Sequence, residues 1–157
     1  VNFNYPADIG FACNNCGICC GDTPTKTRHV LLLSSDAERI SAYTKKAVSE
    51  FTQKTEGKAS YIYEMQKNPE NGKCLFHQNN QCTIYMQRPL ICKFYPFELS
   101  ADKNGKYAFK VTSECLGVLS LDTLKGGEIL GELFFRRLLH LARATLGSAA
   151  EFSNSSH

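Results

Sequence analysis

The chain has 157 residues, 43% hydrophobic and 21% charged, which is ordinary globular composition for one domain and excludes wholesale disorder. Eighteen Lys and Arg against fifteen Asp and Glu leave a formal charge of +3, too small to argue for a nucleic-acid partner. The anomaly is eight cysteines, all between Cys13 and Cys115, with four of them inside Cys13–Cys20.

Residues 1–12 lack periodicity and are expected to form an arm. Cys13 to Gly21 reads as a tight loop. His29 to Leu33 is apolar and long enough for one buried strand. Ser34-Ser35-Asp36 opens a predicted helix, with Ser35 and Glu38 as a capping box. Ile40, Tyr43, Ala47 and Phe51 continue it at helical spacing towards a stop at Gly57. Ala59 to Gln66 alternates, placing Tyr61, Tyr63 and Met65 on one side of a strand. Asn68 to Gly72 is a turn. Cys74 to His77 continues as a strand, and Gln78 to Gln81 turns the chain before Cys82. Pro89 suits the start of a short helix carrying Cys92, which Pro96 ends. Phe97–Leu99 and Tyr107–Val111 predict a hairpin around Asn104-Gly105. Glu128 to Leu146 predicts an amphipathic helix with Leu130, Leu133, Phe134, Leu138, Leu141 and Thr145 on one face and Gly147 as its cap. Residues 148–157 read as a flexible tail. The expected architecture is α+β: one small, irregular, metal-organised domain over 13–147, with short β-hairpins and two main helices.

No segment is predicted to cross a membrane. The most apolar stretch, Ile129 to Ala142, is interrupted by Glu132, Arg136 and Arg137, whereas a span needs about 18 apolar residues. No charged and apolar leader pattern precedes Cys13. With thiols this dense, the expectation is a cytoplasmic, reducing setting in which cysteines serve metal rather than a disulfide framework.

The spacing is C-x2-C-x2-C-C, then gaps of 53, seven, nine and 22 residues before successive cysteines. Two-residue gaps let the backbone curl so that sulfurs converge. Bacterial ferredoxins hold three ligands of a [4Fe–4S] cluster on such a loop and take a fourth from elsewhere. Gly17 and Gly21 permit the close approach this needs. Cys20 directly follows Cys19, and adjacent side chains diverge in extended backbone. Two arrangements stay open: two sites that each draw on the loop and on remote cysteines, or one cluster beside redox-active thiols. All eight cysteines are therefore candidate ligands: Cys13, Cys16, Cys19, Cys20, Cys74, Cys82, Cys92 and Cys115. Structural zinc commonly uses paired C-x2-C knuckles, and here the second set is dispersed. That favours an iron–sulfur cluster, [4Fe–4S], one or two per chain, with zinc as the alternative.

Other residues read more plainly. Arg88 is expected to clamp neighbouring backbone, with a hydrogen bond to cluster sulfur as the alternative. Lys93 either balances charge beside Cys92 or is solvated. His77 is the histidine nearest a proposed ligand and is outnumbered by thiols; His29 and His140 read as surface or packing residues. Tyr61, Tyr63, Tyr85, Phe94, Tyr95 and Phe97 suit core packing better than base stacking. No catalytic triad, carboxylate pair or phosphate loop emerges, so no catalytic residue and no organic substrate are assigned.

The run Phe11-Ala12-Cys13-Asn14-Asn15-Cys16-Gly17-Ile18-Cys19-Cys20 resembles the signature of the CxxCxxCC family of zinc- or iron-chelating domains. The segment from Cys82 through Ile84-Tyr85, Arg88-Pro89 and Cys92 to Tyr95-Pro96-Phe97 is similar to a second signature of that family. Cys74-Leu75-Phe76 and Cys115 resemble its remaining elements. The resemblance implies a small metal-binding domain without a universal activity. Flagellin lysine N-methylase is a larger relative that carries such a domain, so protein lysine N-methylation is one alternative. The leading expectation is a non-catalytic iron–sulfur protein in electron transfer or in redox or oxygen sensing, an accessory subunit docking on a larger redox or methyl-transfer complex. A zinc-stapled interaction module is the other alternative.

Overall fold

The computed structural model describes residues 2–56, 60–120, 129–147 and 155–156. These residues contain three α-helices and five small sheets of two or three strands, the mixed α+β architecture expected. Backbone proximity divides the chain into two compact units, Val1–Cys16 with Pro96–Ser153 and Gly17–Tyr95 with Asn154–His157. The division falls inside the dense cysteine run, between Cys16 and Gly17.

In the first unit, Phe97–Ala101 and Tyr107–Val111 form the expected hairpin. Its turn is held by the Asp102 carboxylate, which accepts the N–H groups of Asn104 at 2.8 Å and Lys106 at 2.9 Å. Gly105 supplies the positive φ of 75°. Residues expected as an arm are built into sheets instead. Phe3–Asn4 pairs in parallel with Tyr107–Ala108, and Ile9–Phe11 pairs antiparallel with Val118–Ser120. Strands of two or three residues are too short to display a period of two.

Helix α3 spans Glu132–Leu146 and ends at Gly147, as expected; of the predicted start, Glu128 lies outside the described residues and residues 129–131 are not helical, so the helix begins later than its apolar spacing predicts. Its buried face is Phe135, Leu139 and Ala142, while Leu133 and Leu141 are exposed, so the predicted face is rotated from the real one. Apolar residues surround much of this helix, and several stripes fit the period. Aromatic packing selects among them: Phe135 stacks on Tyr5 at 5.2 Å and meets Phe97 edge-on at 5.0 Å. Leu139→Ala should therefore cost about 2–5 kcal/mol in denaturant unfolding, and Leu133→Ala no more than about 0.5 kcal/mol.

In the second unit, Tyr63–Met65 is the central strand between Leu31–Leu32 and Thr52–Lys54, antiparallel to both. Val30 to Leu33, Phe51 and Met65 are buried here. Helix α1 spans Ser34–Thr44 and stops where Lys45 turns left-handed at φ 61°. The apolar spacing predicts a helix running on through Phe51. Val48–Glu50 instead makes one turn of 3-10 helix, which delivers Phe51 to the core, and Gly57 lies outside the described residues. The capping also differs. Asp36, not Glu38, accepts the Leu33 N–H, at 3.0 Å, and Glu38 takes the Ser34 hydroxyl at 3.4 Å.

His77–Gln78 and Gln81–Cys82 form a hairpin whose central residues, Asn79 and Asn80, both have positive φ, 51° and 59°. Helix α2, Leu90–Phe94, follows Pro89 as expected. Of the predicted tail, Ser155–Ser156 pairs with Thr27–Arg28, and residues 148–154 lie outside the described residues.

Tyr61 is buried and its hydroxyl has no hydrogen-bond partner among the described residues. Burial, and then the Asp36 charge, push its pKa up to about 12. Tyr61→Phe should be neutral or stabilising by up to about 1 kcal/mol, because it removes an unsatisfied polar group at constant shape. A urea midpoint lowered by this change would reveal a partner for the hydroxyl.

Candidate metal centre

The second unit carries five of the eight cysteines. Gly17 adopts a left-handed φ of 74° and begins one 3-10 turn, Ile18–Cys20, that holds Cys19 and Cys20. The turn is clamped onto the Asn68–Cys74 segment. The Cys74 N–H donates to the Cys20 carbonyl at 2.5 Å and the Asp22 N–H to the Gly72 carbonyl at 3.1 Å. Lys73 Nζ donates to the Gly17 carbonyl at 3.0 Å. This approach depends on glycine. A Cβ on Gly21 would lie 2.2 Å from the Gly72 carbonyl oxygen, and one on Gly17 would lie 2.8 Å from His77 Nε2. Gly21→Ala should cost about 1–3 kcal/mol in thermal or urea unfolding, because rigid backbone must move.

Cys82 sits on the hairpin opposite His77, and Cys92 sits on α2. Four segments therefore present thiols in one unit: the 3-10 turn, the Cys74 turn, the hairpin and α2. Their electrostatics are shared. Burial pushes the Cys92 thiol well above its ordinary value, and the potential thiolates of Cys74, Cys19 and Cys82 push in the same direction. Burial, then Cys82 and Cys19, raises Cys74 to about 11. The Cys19 thiol is raised by its contact with Cys20, whose sulfur is 3.9 Å away, and then by burial. Such a set resists becoming anionic unless a cation neutralises it.

The first unit holds the other three. Cys13 and Cys16 are exposed, and Cys115 is half-buried. Cys13 follows the Ile9–Phe11 strand and Cys115 precedes its partner Val118–Ser120. The Ala12 N–H donates to the Gly117 carbonyl at 2.9 Å, which puts both cysteines at the same end of that ribbon. Asn14 Oδ1 accepts the Cys16 N–H at 3.2 Å.

None of the eight cysteines is in a disulfide. Among the described residues, no three Cys, His, Asp or Glu side chains close on one point as a finished metal site. The chemistry of the donor set nonetheless fits a soft or borderline metal. Thiols predominate, and His77 Nε2 is buried with no hydrogen-bond partner among the described residues. Hard-cation chemistry would need carboxylate and carbonyl oxygens instead.

Arg88 behaves as a clamp: Nη1 donates to the Tyr85 carbonyl at 2.6 Å, and the guanidinium lies 3.9 Å from the centre of the Tyr85 ring. Lys93 and His140 are exposed, while His29 Nδ1 is paired with Glu64 at 2.5 Å. Sequence reasoning missed the buried charges. Asp36 is only 2% exposed and also accepts the Leu90 N–H, at the start of α2, at 3.2 Å. Arg39 Nη2 donates to Asp36 and to the carbonyls of Gln87 and Arg88. The Asp36-x-x-Arg39 spacing on one helix face was the available signal. Arg28 is 1% exposed and had none.

The arrangement defines a cysteine-rich metal-binding domain in which small irregular elements present thiols. The chain belongs to the CxxCxxCC family, described as "Putative zinc- or iron-chelating domain", whose model matches residues 12–116. It is 33% identical over 105 residues to an uncharacterized protein of Methanocaldococcus jannaschii, a match covering 65% of this chain and 52% of that protein. The chain thus spans about half the length of that curated relative. No solved structure matches it. Among the described residues, no helix is long and apolar enough to cross a membrane.

Proposed function

We propose that the second unit holds an iron–sulfur cluster on Cys19, Cys74, Cys82 and Cys92, and that the protein transfers electrons or senses redox state or oxygen. The carrying observation is that four separate segments of one unit bring these thiols within electrostatic reach of one another. Their dispersal, with no paired C-x2-C knuckles among them, supports an iron–sulfur cluster over structural zinc. Such a cluster supplies reversible one-electron chemistry; the chain's residues hold it and exclude water. Cys13, Cys16 and Cys115 lie in the first unit, and Cys20 adjoins Cys19 of the proposed set.

A reducing, cytoplasmic compartment suits eight thiols outside disulfides. An accessory role on a larger redox or methyl-transfer complex is part of this reading. Anaerobic purification should give a brown protein with matching iron and acid-labile sulfide, bleached by air or by dithionite. A colourless protein with stoichiometric zinc would replace this reading with a zinc-stapled interaction module.

A further inference from the structure

We infer that His77 is a hydrogen-bond donor to the thiolate centre of the second unit: its Nε2–H takes the Cys82 sulfur when the thiols close on metal. The inference rests on the ligand set proposed above. In that set His77 is a positioning residue, acting on a ligand sulfur rather than on the metal.

His77 Nε2 is buried with no hydrogen-bond partner among the described residues. Leaving such an atom unsatisfied costs about 1–3 kcal/mol, so its place calls for a partner. Backbone register puts a thiol beside the ring. His77 and Cys82 stand directly opposite each other across the Asn79-Asn80 turn. The next pair out is hydrogen-bonded, with the Thr83 N–H donating to the Phe76 carbonyl at 2.8 Å. Bonded and non-bonded pairs alternate, so His77 and Cys82 form a non-bonded pair, whose side chains leave the same face and stand closest. Two more thiol-bearing segments enclose His77. A Cβ on Gly17, which opens the 3-10 turn of Cys19 and Cys20, would lie 2.8 Å from Nε2. The His77 backbone N–H donates to the Cys74 carbonyl at 2.9 Å.

The proposed set decides between donor and ligand. Four thiolates complete a tetrahedral zinc or the four corners of a [4Fe–4S] cluster, so a nitrogen ligand is not called for. Four thiolates on Zn2+, or on a [4Fe–4S]2+ cluster, leave the same net charge of about −2. That charge favours the tautomer with its proton on Nε2, because a charge-assisted hydrogen bond is stronger than a neutral one. A hydrogen bond of this kind draws charge off the sulfur, steadies its orientation and, in a cluster, favours the reduced state.

Cobalt(II) titration of the metal-free full chain tests this, because thiolate-bound cobalt gives charge-transfer bands whose energy reports on the sulfur, whatever the native metal. His77→Gln places an amide N–H where Nε2 stands, and His77→Asn leaves it short of that point. His77→Gln should bind within about threefold of wild type and keep its band energy, whereas His77→Asn should bind at least about tenfold more weakly. The His77→Asn band should move to longer wavelength at undiminished intensity, which shows four thiolates still bound to cobalt. A smaller loss in His77→Asn, or an unshifted band, would overturn the inference. So would a tenfold loss in both variants with unchanged far-UV circular dichroism, since glutamine supplies the donor. Mixed nitrogen–sulfur d–d bands in wild type that vanish in both variants would make His77 a ligand and overturn the donor role. If one variant does not fold, the other decides by its own criterion. Wild type that fails to give thiolate–cobalt bands would sink the proposed ligand set itself.

Discussion

Cys92→Ser is expected to lose the metal of the second unit and most of the stability that metal confers. Serine is isosteric but presents a hard, barely acidic hydroxyl where a soft thiolate is needed. Cys92 lies on α2, whose first turn is pinned to α1 through Asp36, so its position is fixed by the fold. Metal bound by the folded state is folding free energy, on the order of 10 kcal/mol for a four-thiolate site. Losing one of four ligands should reduce bound metal at least a hundredfold and lower the thermal midpoint by more than 10 °C, read by metal analysis and calorimetry of the purified protein. Cys16→Ser is the informative contrast. Cys16 is exposed and belongs to the first unit, so that protein should keep the second unit's metal. Equal loss in the two variants would refute the four-ligand set.

Asp36→Ala should be the most damaging substitution that removes no thiol, at about 3–5 kcal/mol. The carboxylate is 2% exposed and answers three donors: the N–H groups of Leu33 and Leu90 and the Arg39 guanidinium. Alanine leaves two buried backbone donors unsatisfied and strands the positive charge. Asp36→Asn keeps one acceptor oxygen and loses the charge, so it should fall between wild type and alanine. Urea unfolding of the metal-free proteins measures this without interference from metal affinity. A loss under 1 kcal/mol for alanine would show that water reaches these donors.

Much of the fold was legible where a residue type enforces local geometry. Pro89, Asn104-Gly105 and Gly147 mark their elements because each restricts or frees the backbone directly, and the hairpin, α2 and the end of α3 follow. The cysteine motif led to the family because its spacing is intrinsically chemical. Choices settled by tertiary packing were not legible. Phe51 sits at helical spacing from Ile40, yet a left-handed Lys45 breaks the helix and the core claims Phe51 by another path. The face of α3 was ambiguous because aromatic neighbours from a distant hairpin choose it. The boundary between the units was hidden too, since a continuous motif gives no sign that it falls at Gly17.

The double use of Asp36 has a consequence for the order of assembly. The carboxylate that starts α1 also accepts the first N–H of α2, 54 residues downstream. A five-residue helix is too short to nucleate alone in water, so α2 waits for α1 to arrive and close that long loop. The two helices therefore gain protection from hydrogen exchange together, and Cys92 is presented to metal only after that step. Metal capture is therefore expected to follow this step in the unit, and pulse-labelled hydrogen exchange with and without metal checks the order.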